Sequence, residues 1–153
     1  INLKISSFSL NSSIGSIERW MYSILEEGMK REKPMLPVWL SPSQLRLIPV
    51  SEKHLEYCKS LQFKNVRVDI DDSNDSLGKK IAKAGKEWIP YVAVIGDKEM
   101  ESNKVMVNVR ENESKIELSI EDIEKEIHEK CQGLPFRRIP VPKLLSQRPV
   151  FFG

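Results

Sequence analysis

The chain is 153 residues long, with 40% hydrophobic and 30% charged residues and a net charge of +2. Those values exclude a large multidomain enzyme, a disordered chain and a globally basic polyanion binder; one ordinary domain with a short appendage fits. No run approaches the roughly 18 apolar residues of a membrane span, and the first residues lack the charged-then-apolar order of a signal peptide, so no membrane contact is expected.

Leu3, Ile5, Phe8 and Leu10 read as a strand. A start on Ile1 inside that run reads as a piece cut from something longer. Ile14, Ile17, Trp20, Met21, Ile24, Leu25, Gly28 and Met29 recur at helical spacing, with Ser12 or Ser13 as cap. Lys30 to Pro37 carries charges and two prolines and reads as a linker. Leu45 to Val50 is an apolar strand, and Ser51 caps a helix with Leu55, Cys58 and Leu61 inward. Val66, Val68 and Ile70 alternate with Arg67 and Asp69 in a half-buried strand, followed by a polar turn from Asp71 to Asp75. Ser76 caps a second helix with Leu77, Ile81, Ala84 and Trp88 inward. Tyr91 to Ile95 is a continuous apolar run, expected at the centre of a sheet. Gly96 to Lys104 links it to a strand through Val105, Val107 and Val109, close enough for an antiparallel pair. Ser119 and Asp122 start a third helix with Ile123, Ile127 and Cys131 inward. Strands interleaved with helices imply an α/β fold with a mixed sheet.

From Leu134 onward prolines join Arg137, Arg138, Lys143 and Arg148, with no acidic residue. This tail is expected to lie extended on a surface, either as packing or as a phosphate contact. Cys58 and Cys131 read as reduced core thiols, and His54 and His128 as solvent-facing. No Cys or His spacing suggests a metal site. Asp69, Asp71 and Asp72 follow a strand, where carboxylates could take Mg²⁺, but without a phosphate loop a polar turn is the better reading. No nucleophile or acid–base motif is present.

Chemistry concentrates in cations. Lys79, Lys83 and Lys86 share a helix face opposite Leu77 and Ile81, with Lys80 flanking. Lysines are point charges that suit phosphate oxygens without base specificity. The third helix is acidic, so the domain is polarised despite its near-neutral total.

Pro37-Val38-Trp39-Leu40-Ser41-Pro42-Ser43-Gln44-Leu45, then Trp88-Ile89-Pro90-Tyr91, Gly96-Asp97-Lys98-Glu99-Met100-Glu101-Ser102 and Val105-Met106-Val107-Asn108-Val109-Arg110 occur in that order. In order and spacing they resemble the C-terminal anticodon-binding domain of class II aminoacyl-tRNA synthetases, most closely the threonyl-tRNA synthetases, and the basic tail resembles archaeal members. The resemblance implies a three-layer α/β fold, a mixed five-stranded sheet with three flanking helices. It divides the chain into a catalytic-domain remnant (1–33), an anticodon-binding domain (34–133) and a basic proline-rich tail (134–153). Glu101 and Arg110 match positions that read anticodon bases: a carboxylate accepts, and a guanidinium donates in a fork. Lys79, Lys80, Lys83, Lys86, Arg137 and Arg138 are then expected on tRNA phosphates. Ala82 stands where the family often has arginine, so one phosphate contact is absent.

Gly15-Ser16-Ile17-Glu18-Arg19 resembles the third signature motif of class II catalytic domains, and Arg19 matches its ATP-binding arginine. Leu10 stands nine residues before it, where the family has a zinc-binding histidine. Leucine cannot ligate metal, which puts zinc-dependent threonine recognition in doubt. The implied function is anticodon recognition for tRNA(Thr) aminoacylation in the cytoplasm. The alternatives are an archaeal editing-only paralogue that clears seryl-tRNA(Thr), or an accessory interaction domain showing an apolar patch instead of a lysine stripe beside Arg110. The chain alone is expected to be non-catalytic and to bind no cofactor. ATP and Mg²⁺ belong to a full-length synthetase, which the resemblance makes a homodimer.

Overall fold

In the computed structural model, which describes residues 15–149, the order is α1 (Ile17–Met29), β1 (Leu45–Pro49), α2 (Glu52–Ser60), β2 (Val68–Ile70), α3 (Leu77–Lys86), β3 (Tyr91–Ile95), α4 (Asp97–Ser102), β4 (Lys104–Val109), β5 (Ser114–Ser119) and α5 (Ile120–Lys130). The sheet order is β2-β1-β3-β4-β5. β1 pairs parallel with β2 and β3, while β3–β4 and β4–β5 are antiparallel. The fold is therefore the expected mixed five-stranded sheet, with β3 at its centre. The strand expected through Leu3 and Leu10, and the caps Ser12 and Ser13, lie outside the described residues.

Side chains alternate across the sheet and divide its core in two. Leu45, Leu47, Ile70, Tyr91, Ala93, Ile95, Val105, Val107 and Val109 meet Cys58 of α2 with Ile123 and Ile127 of α5. On the opposite face Ile48 and Val92 meet Ala84 of α3 and Ile89. α2 and α5 thus form one outer layer and α3 the other. Ser119 Oγ accepts from the Asp122 N–H at 3.1 Å, the expected cap of α5.

Several expectations are corrected. α1 buries only Gly28 among its residues, while Ile17, Trp20, Met21, Leu25 and Met29 are exposed; the apolar stripe meets no partner along most of its length among the described residues. Gly28 is required by a close approach, since a Cβ there would sit 3.0 Å from the Met35 carbonyl oxygen. The segment after α1 is more than a linker. Met35 is buried, its N–H donates to Gly28 O at 3.3 Å, and Lys33 pairs with Glu113.

α3 buries Lys80 and Ala84, leaving Leu77 and Ile81 partly exposed, so its inner face is turned from the one expected. The cause lies beneath it. Arg46, Asp69 and Asp71 are all fully buried there, and Lys80 Nζ donates to the Asp71 carbonyl at 3.1 Å. Asp69 is therefore a core residue rather than a solvent-facing one. Ser76 holds the N-cap position of α3 without a side-chain cap bond. His54, expected in solvent, is only 2% exposed. Its Nδ1 accepts from the Ser51 N–H at 3.1 Å, and its Nε2 lies 3.2 Å from Asp97 Oδ1, tying α2 to α4. His128 is half-exposed, with Nε2 2.7 Å from Lys64 O.

The tail does pack as an extended segment. Leu144 forms a parallel bridge with Ile70, and the Ile70 N–H donates to Lys143 O at 2.9 Å. Ser146 bonds Asp72 through both its N–H and its hydroxyl, and these bonds outweigh burial to hold the Asp72 carboxyl below its ordinary range.

Cys58 gives the fold a measurable pH signature. Burial pushes its thiol from the ordinary 9.0 up to about 12. Between those values the folded thiol keeps a proton that the unfolded chain releases, so stability falls as pH rises above about 9. The slope approaches about 1.4 kcal/mol per pH unit. Tyr91, also held above its ordinary range by burial and by Glu126, adds its own loss at higher pH. Urea unfolding at pH 8 and pH 11 should show a smaller loss in Cys58→Ala than in the parent chain; equal losses would refute the assignment.

Candidate nucleic-acid interface

α3 covers its face of the sheet only over β1 and β3. On the same face the register places Val94 beside Met106 and Glu117, and Val92 beside Asn108 and Lys115. Met106, Lys115 and Glu117 are exposed, and Val94 and Asn108 half-exposed. The outcome is an open shelf of two strands flanked by a helix, a shape that can receive splayed bases of a single strand. Apolar periodicity alone did not separate this shelf from the covered half of the sheet. The clue available was the polar outward set Asn108, Lys115 and Glu117.

Arg110 stands at the end of β4 on the α3 side. Its Nε donates to Pro34 O at 2.8 Å, and its Nη1 lies 4.0 Å from the point where a Cβ on Gly85 would be. Glycine at 85 thus leaves the guanidinium room beside the helix. Burial lowers the pKa of Arg110, which leaves so basic a group charged. Among the described residues only Nε is engaged in a hydrogen bond, so the two terminal nitrogens keep the fork geometry that reads a base or two phosphate oxygens. The anchor of Arg110 on Pro34 was not expected from the sequence.

Glu101 is exposed on α4, at the opposite end of β4. Lys104 and Arg110 are six residue steps apart, about 20 Å at the strand rise. The structure therefore sets the carboxylate and the guanidinium at opposite ends of β4, with α4 tied to α2 through Asp97 and Asn103, so the two do not meet. α4 itself was not expected. Gly96 N–H donates to Glu99 Oε2 at 2.9 Å, and Asn103 closes the helix at φ 54°. The glycine–acid start and the asparagine stop were its signal.

Lys79, Lys83 and Lys86 are exposed on α3. Lys79 Nζ reaches Asp75 only at 3.9 Å, a surface pair of small worth. Lys80 is the exception: 7% exposed and spent on Asp71 O, it cannot meet a phosphate without leaving the core. Arg137 and Arg138 are exposed in the tail, which runs along the β2 edge, away from β4 and β5. Arg19 is exposed on the first turn of α1. Its Cδ lies 3.0 Å from the position of a Cβ on Gly15, whose φ of +94° also favours glycine. Leu10 lies outside the described residues.

No group of three or more His, Cys, Asp or Glu side chains able to hold a metal occurs among the described residues. Asp69 is occupied by Arg46, Arg148 and Ser43, and Asp71 Oδ1 accepts from Ser73, so these carboxylates serve the fold. No helix of the described residues is long and apolar enough to cross a membrane.

Residues 44–130 match a family model described as an anticodon binding domain. The chain is 49% identical over 146 residues to the threonine–tRNA ligase of Methanosphaera stadtmanae, covering 92% of this chain and 24% of that protein. Against the corresponding ligase of Pyrococcus horikoshii it is 49% identical over 150 residues, covering 93% and 24%. It thus spans about a quarter of the length of the curated relatives it matches. Among solved structures it is similar to the RNA binding domain of threonyl-tRNA synthetase from Cryptosporidium parvum, with TM-score 0.56, 28% identity, and 65% of this chain and 26% of that one covered. It shares its fold with a prolyl-tRNA synthetase of the same organism at TM-score 0.60 and 23% identity, over 73% of this chain and 26% of that one.

Proposed function

The chain belongs to the anticodon binding domain family, in its threonyl-tRNA synthetase form, and we propose that its open shelf holds the anticodon loop of tRNA(Thr). The observation that carries this reading is the placing of exposed Lys79, Lys83 and Lys86 on the helix that borders the shelf, with the Arg110 fork beside Gly85 of that helix. Lysines supply affinity along the phosphate chain; Arg110 and Glu101 supply base preference. A binding face of this kind orients a long substrate for chemistry elsewhere and needs no catalytic group of its own. The process it serves, in this reading, is aminoacylation of tRNA(Thr) by a longer, dimeric, cytoplasmic ligase that uses ATP and Mg²⁺. Arg19 is assigned to a phosphate of that ATP, because its guanidinium can reach two oxygens at once.

The test is the salt dependence of tRNA binding. Each neutralised phosphate of a single strand contributes about −0.7 to the slope of log affinity against log salt. Lys79→Ala with Lys83→Ala should flatten the slope by about 1.4 and weaken all tRNAs alike. Lys80→Ala should leave the slope in place and lower the melting temperature, because it strips a buried donor from Asp71. An unchanged slope in the double variant sinks the reading of α3 as the phosphate-binding helix.

A further inference from the structure

At the β2 edge of the sheet, the tail closes over a cavity of about 550 Å³. Its lining includes Lys59, Arg67, Arg138, Lys143 and Arg148, and among the described residues no carboxylate. Phe63 and Val141 contribute apolar wall. The charges are not equivalent. Arg148 is neutralised by buried Asp69 at 3.1 Å, and Lys59 pairs with Glu56 at 2.7 Å. Among the described residues Arg67 and Lys143 pair with no carboxylate: Arg67 donates to the carbonyls of Trp39, Ser41 and Arg137 and lies 5.5 Å from the centre of the Phe136 ring, and Lys143 donates to the carbonyl of Leu61 at 2.9 Å. A carbonyl satisfies a donor and leaves the cation's charge standing. Burial lowers the pKa of both groups, which is the cost of holding them without a counter-charge. The tail side of the cavity is fixed in advance by the Leu144–Ile70 bridge and the Ser146–Asp72 bonds, so the cations need little ordering to accept a ligand.

We propose that this cavity is a second anion site, apart from the anticodon shelf, that takes phosphate groups on Arg67, Arg138 and Lys143. Its location sets it off from that shelf: β2 lies three strands from β4, about 14 Å across the sheet. The phosphates come either from a second stretch of RNA backbone or from a free oligophosphate. Small anions carrying a single charge are poorer candidates, because one site offers several separated cations.

Calorimetric titration of the chain with inorganic triphosphate at low ionic strength tests it. Binding of about one triphosphate per chain is expected, weakened about tenfold by Arg138→Gln and by Lys143→Gln, the size of one lost charge-assisted bond. Arg138 is exposed, so its variant keeps the fold even if Lys143→Gln loosens the tail; melting curves separate the two cases. The pair Lys79→Ala and Lys83→Ala should leave triphosphate binding unchanged. If the phosphates belong to RNA, Arg138→Gln also reduces the tRNA salt slope by about 0.7; if they are free, the slope stays as it was. Absence of triphosphate binding, or binding lost with the α3 pair and untouched by Arg138→Gln, overturns the proposal. Because the triphosphate titration uses no tRNA, its failure is distinct from a failure of the anticodon reading.

Discussion

Asp69→Ala is expected to lower the melting temperature by about 6–20 °C. Arg46 and Asp69 have no exposed side-chain surface, and two guanidinium bonds of 2.8 and 2.9 Å join them. Glu87 accepts a further bond from Arg46 at 2.6 Å, and Arg148 approaches Asp69 from the tail at 3.1 Å. Burial opposes the charge on Arg46, and the bonds to Asp69 and Glu87 outweigh it, holding the guanidinium protonated. Removing Asp69 leaves a buried cation with only a half-exposed partner, a change that costs about 3–5 kcal/mol. For a chain of this size each kilocalorie is worth roughly 2–4 °C. The cost belongs to the orphaned charge, so Arg46→Met placed on top of Asp69→Ala should recover much of the loss. If the double variant is no more stable than Asp69→Ala, the loss comes from packing. Differential scanning calorimetry of the three variants decides.

Arg110→Ala is expected to weaken tRNA(Thr) binding by a factor of roughly 5 to 150, the range for losing one good base contact. A tRNA with an unrelated anticodon should lose little. Arg110→Lys retains the charge and gives up the fork, so it should keep non-cognate affinity and lose cognate preference. The bond to Pro34 complicates the reading, because removing it also loosens the segment after α1. Its net worth is about 1–3 kcal/mol for a charged donor, so a melting-temperature loss of several degrees should accompany the alanine variant. Binding measured well below the melting temperature keeps the two effects apart. Equal weakening of cognate and non-cognate tRNA would reduce Arg110 to a phosphate contact. Glu101→Gln, on exposed α4, should relax base preference with no change in melting temperature.

What could be read in advance follows from how each element is encoded. Tyr91–Ile95 is an unbroken apolar run, and β4 alternates Val105, Val107 and Val109 with polar or exposed residues, so the central antiparallel pair was legible from periodicity. Ser119 and Asp122 announced α5 through a cap that depends on two neighbouring residues alone. α4 spans six residues, less than two turns, and no hydrophobic period can develop over that length. β5 was expected only through the family resemblance, because Ile116 and Leu118 are its sole apolar residues and both stay partly exposed. The phase of α3 misled for a different reason. Leu77 and Ile81 looked like the buried stripe, but Lys80 is held inward by a backbone carbonyl, a partner with no signature in side-chain patterning. The same holds for Arg110 and Pro34. His54 is buried because a neighbouring turn and a distant helix both use its nitrogens, and only one of those partners is local in sequence.

The tail's attachment to β2 has a consequence for synthesis. Asp72 and Ser146, which bond at that edge, are 74 residues apart in the chain. At about 5–20 residues per second, a ribosome needs roughly 4–15 s to make the intervening stretch. Throughout that interval the outer edge of β2 is a strand without its native neighbour, open to pairing with nascent chains on adjacent ribosomes. β2 is only three residues long, which leaves such a neighbour very little backbone to zip onto. Crowded polysomes therefore meet a brief and narrow opportunity for entanglement, one that ends when the tail emerges and takes the place for itself.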